Sequence, residues 1–300
     1  MTRSILFVLG FTLLFGCSSP PQQSMMRINS LTSQSGEEAA AGMRLRYSDT
    51  RPYCRDVEEM AFKCTGVIFR GTVASPAFHA WNPAPTAYQR NGVSFSFLRR
   101  DSKFTRLPYD YNHGFIFYPE NDRPAGKDTV EVRCVFPLDG WTNERGNDAC
   151  GPDPANPVVS RPCQVQGVNT AQQWFAHFTG PAGSVFRRQC GFKVHEALGM
   201  AAAVAFDEAI KAMGLLGTQS FNSVNELVYT PWAQDVGERL PIQAFFYTGT
   251  GGLSGAQEDQ KDFYEQTGIL LPVIRMTLPA NASVDANFEY IGNDQWAPAN

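Results

Sequence analysis

Histidine is scarce in this chain, and its four copies are scattered. That argues against a histidine-built metal centre. His195 precedes Glu196, but the position four after His195 is Gly199, so the second ligand of an HExxH zinc helix is missing. There is no GxSxG elbow and no phosphate-binding P-loop. Basic blocks are lacking too: Lys and Arg total 25 against 29 Asp and Glu, a net charge of −4. A nucleic-acid partner is not expected from that balance. Arg99-Arg100 and Arg187-Arg188 read as solvated pairs. No internal repeat is visible, and no run after Phe15 is long and apolar enough to span a bilayer.

What is present begins with the first residues. Arg3 supplies a positive charge, and Ile5 to Phe15 is a short apolar run. The pattern is that of a secretion signal. Leu14-Phe15-Gly16-Cys17 resembles a bacterial lipoprotein signal box, with ordinary signal cleavage as the alternative. The resemblance implies a leader over 1–17, lipidation at Cys17 and a membrane anchor there. Ser18 in the next place implies delivery to the outer membrane. The expected location is outside the cytoplasm, as an outer-membrane lipoprotein or a periplasmic or secreted protein. Residues 18–42 hold Pro20, Pro21 and several Ser and Gln without apolar period, and read as a flexible tether.

Setting Cys17 aside leaves Cys54, Cys64, Cys134, Cys150, Cys163 and Cys190. An even set in an exported chain predicts disulfides, and no two have a CxxC spacing. The pairing is open, with Cys54–Cys64 the best local choice because a short loop separates them. Period-two or short apolar runs predict strands at Met43–Tyr47, Gly66–Arg70, Val93–Phe97, Phe115–Tyr118 and Val130–Phe136. Further strands are expected at Glu226–Tyr229, Ile242–Tyr247, Val273–Leu278 and Phe288–Ile291. Asn169 or Thr170 starts a short helix through Phe178. Phe192 to about Leu216 is the strongest helical pattern, and Ser254 caps a polar helix through Gln266. Residues 43–300 then form one domain, with an irregular insertion at about 119–165. Strands, central helices and strands again give an α+β class with mixed or antiparallel sheets.

Three pieces carry candidate chemistry. Phe69-Arg70-Gly71-Thr72 puts an arginine at a strand end, where its planar fork suits a phosphate or carboxylate. In Val93-Ser94-Phe95-Ser96-Phe97 the two serines share one strand face and the apolar residues the other. Glu226 opens the apolar strand Leu227-Val228-Tyr229, followed by Thr230-Pro231. Each alone is more simply a paired or solvated surface residue. In this order, the three resemble the ADP-ribosyltransferase family, whose arginine strand reads aromatic-Arg-Gly-Thr. Cys64 to Thr72, His79-Ala80-Trp81-Asn82-Pro83, Gly92 to Arg99 and Gly114 to Pro119 together resemble the halovibrins, secreted bacterial proteins associated with NAD glycohydrolase and ADP-ribosyltransferase activity.

That resemblance implies an ADP-ribosyltransferase-like fold and cleavage of the nicotinamide–ribose bond of NAD, a substrate, with no cofactor or metal. It implies Glu226, Ser94 and Ser96 as catalytic residues and Arg70, Gly71, Thr72, Trp81 and Phe97 as substrate-binding residues. Glu226 would steady the ribose cation, Arg70 would bind the diphosphate, and Trp81 or Phe97 would stack on nicotinamide. Arginine transferases carry a second glutamate two places before the catalytic one; Val224 stands there, which favours water as acceptor over a host or competitor protein. Glu238 and Glu196 are weaker alternatives to Glu226. A second class, a non-catalytic surface lipoprotein binding a protein or glycan, is expected instead if the four residues Arg70, Ser94, Ser96 and Glu226 lie apart.

Overall fold

The computed structural model describes residues 23–54, 59–73, 77–140, 149–151, 162–179, 190–195, 199–216 and 224–297, with first-helix side chains from Gly36 onward. Cys17, Glu196 and Arg187-Arg188 lie outside the described residues. In chain order the main elements are α1 (Gln23–Ser48), β1 (Tyr53–Cys54), β2 (Glu59–Met60), β3 (Val67–Thr72), α2 (Pro85–Gln89), β4 (Val93–Leu98), β5 (His113–Phe117), β6 (Val132–Phe136), α3 (Ala171–Thr179), β7 (Phe192–Lys193), α4 (Gly199–Leu216), β8 (Glu226–Tyr229), β9 (Ile242–Tyr247), α5 (Leu253–Thr267), β10 (Val273–Thr277) and β11 (Asn287–Tyr290). The class is α+β.

Among the described residues nine strands join in the order β11-β10-β9-β5-β3-β4-β8-β6-β7. All neighbours are antiparallel except β9 and β10, which run parallel across α5. Strands β5, β8 and β9 are buried on both faces, which is why they read as apolar runs, while β4 alternates Ser with Phe. Val67 and Phe69 of β3 face one core with Ala40, Met43 and Tyr47 of α1. Ile68 faces the other, with Phe206 of α4, Phe263 of α5 and Trp174 of α3. No helix among the described residues is long and apolar enough to cross a membrane.

Two expectations near the start are corrected. Of the segment read as a tether over 18–42, residues 18–22 lie outside the described residues; from Gln23 to Ser48, including Met43–Tyr47 read as a strand, the chain is helical. A strand would place Met43, Leu45 and Tyr47 on one face. Instead Leu45 is 75 % exposed while Ala39, Met43 and Tyr47 are buried, which is an i, i+4, i+8 stripe. Arg46, on the same helix, donates to Gln243 Oε1 at 2.5 Å. The long helix is also shorter than expected: it starts at Gly199, and Phe192–Lys193 is an edge strand on β6. Thr170 does start the short helix, its hydroxyl accepting from Gln173 N–H at 3.2 Å.

The disulfides are Cys54–Cys64, Cys134–Cys150 and Cys163–Cys190. The first ties Cys54 of β1 to Cys64, just past the turn that follows β2. The second ties β6 to residues 149–151, and the third ties the start of the α3 region to the residue before Gly191. The region expected as an irregular insertion thus contributes a sheet strand, β6, whose Cys134, Val135 and Phe136 are buried.

Arg99, read as solvated, is corrected: it is 0 % exposed. Its guanidinium donates to Asp101 Oδ1 at 2.6 Å and to Asp207 of α4, and Lys211 Nζ lies 2.6 Å from Asp207 Oδ2. This buried network fastens α4 to the end of β4. Removing Asp207 leaves two cations, the fully buried Arg99 and Lys211, to the single carboxylate of Asp101. Asp207→Ala is expected to lose about 3–5 kcal/mol of stability, measured by urea unfolding; a loss below 1 kcal/mol contradicts the assignment.

Candidate active site

The site lies where the sheet divides around β4. The second half of β4 pairs with β3, through Ser96–Phe69, Phe97–Ile68 and Leu98–Val67. Its first half pairs with β8 along its opposite edge, through Val93–Tyr229, Ser94–Val228 and Phe95–Leu227. Neither ladder continues past the middle of the strand. Arg70, Gly71 and Thr72 therefore stay on β5 but part from β4. Glu226 stays paired with Phe136 of β6 but has no partner on β4.

A split of this kind frees backbone groups that must bond elsewhere. Two side chains take them up. The Arg70 guanidinium donates to Ser94 O at 2.8 Å. On the other edge, the buried Asn225 amide accepts from Phe97 N–H at 2.8 Å and donates to Phe97 O at 2.7 Å. Asn225 thus imitates one more backbone pair of β8, and it sits directly before Glu226.

A cleft of about 430 Å³ opens at the split, within the range of small-molecule sites. Arg70, Gly71, Thr72, Ser94, Ser96 and Glu226 all line it. Glu226 is 4 % exposed, and its Oε2 accepts from Gly140 N–H at 2.7 Å. Ser94 and Ser96 face the cleft because Phe95 and Phe97 occupy the alternate positions of β4. Gly71 is needed as glycine, since a Cβ there would meet the Tyr111 ring at 2.6 Å. Tyr111 consequently lies against the β3 wall of the cleft.

Two expected substrate contacts are corrected. Phe97 is 1 % exposed and belongs to the core; the alternation that turns Ser96 toward the cleft turns Phe97 away. Trp81 is 2 % exposed and packs edge-on against Phe263 and Phe245, with the His79 ring stacked 4.8 Å above it. Neither lines the cleft. His79 itself pairs with Asp262 at 2.7 Å. Five aromatic residues border the cleft among the described residues; Phe69 and Phe95 are buried in the core, which leaves Phe78, Tyr109 and Tyr111 as the accessible rings. Tyr109 is 68 % exposed and, with Asp110, adopts a left-handed backbone at φ 54° and 56°. Such non-glycine geometry is costly and concentrates at ligand-clamping sites. Glu238 does not line the cleft.

Asn82, Arg90 and Asp139 also line the cleft. Sequence reasoning quoted Asn82 only within a motif and missed the other two. The Asn82 side-chain oxygen is buried without a hydrogen-bond partner among the described residues. Arg90 ends α2, and Asp139 lies on the turn after β6. Among the described residues no group of three or more His, Cys, Asp or Glu is placed to hold a metal ion.

Behind Thr72, its hydroxyl donates to Asp259 Oδ2 of α5 at 3.3 Å. Burial pushes the Asp259 carboxyl up to about 7; the Thr72 bond opposes that rise, while Asp262 and Glu258 add to it. His113 Nε2 is 3.9 Å from Asp259, too far for a hydrogen bond, and burial lowers the His113 pKa with Glu258 opposing. Both groups are therefore favoured in their neutral forms.

No family model matches this chain, and no curated protein is detectably similar to it.

The Asp259 carboxyl gives a signed pH dependence. An unfolded aspartate ionises near pH 4. From there to about 7 the folded chain retains a proton that the unfolded chain has released. Stability must fall as pH rises through that window. Thermal or urea unfolding of wild type and Asp259→Asn from pH 4 to 8 should show the variant losing this dependence, at about 1.4 kcal/mol per pKa unit of difference. A constant gap between the two curves contradicts it.

Proposed function

We propose that this protein is an exported enzyme of ADP-ribosyltransferase type, related to the halovibrins, that cleaves the nicotinamide–ribose bond of NAD. The observation that carries this reading is the convergence of Arg70, Ser94, Ser96 and Glu226 on one cleft. Those residues come from three strands, β3, β4 and β8.

Cleavage breaks the bond between ribose C1′ and the nicotinamide nitrogen. The electron pair leaves with nicotinamide, which becomes neutral, and positive charge develops on the ribose. A carboxylate held beside that sugar in a site shielded from water stabilises the charge most. Glu226 suits this role because it is buried, anchored through Gly140 N–H and set at a strand start. Arg70, with Arg90 in the same cleft, supplies positive charge for the diphosphate. Ser94 and Ser96 offer hydroxyls to ribose or carboxamide. Tyr109, Tyr111 and Phe78 take the stacking role assigned on sequence to Trp81 or Phe97.

Val224, where an arginine transferase has its second glutamate, is buried and lines the cleft. Hydrolysis therefore fits better than transfer to a host or competitor protein. Lipidation at Cys17, with residence on the outer membrane, completes the proposal.

Purified protein incubated with NAD should release nicotinamide. Glu226→Gln keeps the acceptor for Gly140 N–H but loses the charge, so kcat should fall about 10²–10³-fold with KM little changed. Absence of nicotinamide from folded protein, or full activity in Glu226→Gln, overturns the reading. Tyr109→Ala should raise KM roughly 2- to 10-fold and leave kcat nearly intact; an unchanged KM removes Tyr109 from the binding site.

A further inference from the structure

We infer that Asp139 is the general base that aligns and deprotonates the attacking water in this cleft. The inference rests on the reading of Glu226 given above and assigns the second carboxylate that Val224 does not provide.

The turn that carries Asp139 is built against Glu226. Phe136, the last residue of β6, pairs with Glu226 across the ladder. The chain then turns through Pro137, Leu138, Asp139 and Gly140 and brings Gly140 N–H back onto Glu226 Oε2 at 2.7 Å. Gly140 permits this approach: a Cβ there would stand 2.9 Å from the Phe136 ring and 3.0 Å from the Glu226 carboxylate. Pro137, Leu138 and Gly140 are buried, whereas Asp139 is half-buried and lines the cleft. A residue one position from a bond to the Glu226 carboxylate is thus held at the mouth of the same site. The Cys134–Cys150 bridge ties the strand before the turn to residues 149–151 beyond it.

Elimination points the same way. Among the described residues, the titratable ones lining the cleft are Arg70, Arg90, Tyr109, Tyr111, Asp139 and Glu226. Arginine does not deprotonate in proteins, and tyrosine ionises near 10, too high to serve as a resting base at neutral pH. Glu226 faces the sugar charge and accepts from Gly140. Among the described lining residues Asp139 is the remaining carboxylate, and no histidine, lysine or cysteine competes with it.

In the step assigned here, the water oxygen bonds to ribose C1′ as the C1′–nitrogen bond breaks. One water proton passes to the Asp139 carboxylate and then to solvent, and the products are ADP-ribose and neutral nicotinamide. No oxidant or further reactant is required.

Azide supplies the test, because it attacks without losing a proton. Nicotinamide release from NAD would be followed for wild type, Asp139→Asn and Glu226→Gln, with NAD affinity by calorimetry and urea midpoints as checks on binding and fold. In water, Asp139→Asn should lose about 10²–10⁴-fold in kcat while its NAD affinity and urea midpoint stay near wild type. Added azide should restore nicotinamide release in Asp139→Asn, with ADP-ribosyl azide as product, and should not restore it in Glu226→Gln. Wild-type kcat in Asp139→Asn, or loss without azide rescue, overturns the role of Asp139 and leaves Glu226 standing. A wild-type protein that releases no nicotinamide overturns the reading of Glu226, and the role of Asp139 with it.

Discussion

Every feature of the candidate site depends on how the backbone groups of β4 are satisfied where its two ladders stop. One half of the strand serves β3 and the other half serves β8. Without substitutes, Ser94 O and both polar groups of Phe97 would lose partners inside the protein, and a buried unsatisfied group costs about 1–3 kcal/mol. Arg70 and Asn225 supply those substitutes. The same two hydrogen-bonding side chains therefore keep the sheet together and hold it open. Arg70 is drawn across the wedge toward Ser94, and Asn225 sets the start of β8, so Glu226 enters the cleft from the opposite wall.

The rest of the fold keeps that division rigid. Strands β3, β5 and β9 are buried on both faces, in one core with α1 and in another with α3, α4 and α5, whereas Val228 of β8 packs with Cys134, Phe136 and Cys150. The buried Arg99–Asp207 pair holds α4 to the end of β4. Two of the three disulfides lie on the β6–β7 side, where short strands and long connections leave less to pack. The C-terminal region has α5 packed behind β9 and β5, with Asp259 and Thr72 joined at the β3 end. Closely packed supports of this sort are what place a catalytic group within tolerance.

Much of this was legible in the residues. Alternation on β4 separated Ser94 and Ser96 from Val93, Phe95 and Phe97, and the structure keeps that separation. It also shows why Phe97 does not stack on a ligand: the period that turns Ser96 outward turns Phe97 inward. The first helix was misread because Met43, Leu45 and Tyr47 satisfy a strand template as well as a helical one, and the exposure of Leu45 decides between them. Arg99 was misread because its partner, Asp207, lies far away in sequence. Asn225 and Asp139 were hidden for a related reason. An asparagine before a strand carries no mark of the edge it will bond, and an aspartate in a Pro- and Gly-rich turn looks like any turn residue until Gly140 is seen against Glu226.

In the proposed reaction Arg70 would hold the diphosphate and Glu226 would steady the ribose cation, across a wedge opened by one strand. The most direct measurement is a crystal structure with a non-cleavable carbocyclic analogue of NAD. Its diphosphate should lie within hydrogen-bonding reach of the Arg70 guanidinium and its ribose hydroxyls at the Glu226 carboxylate. An analogue seated away from the β3–β4 wedge, or with its sugar remote from Glu226, contradicts it.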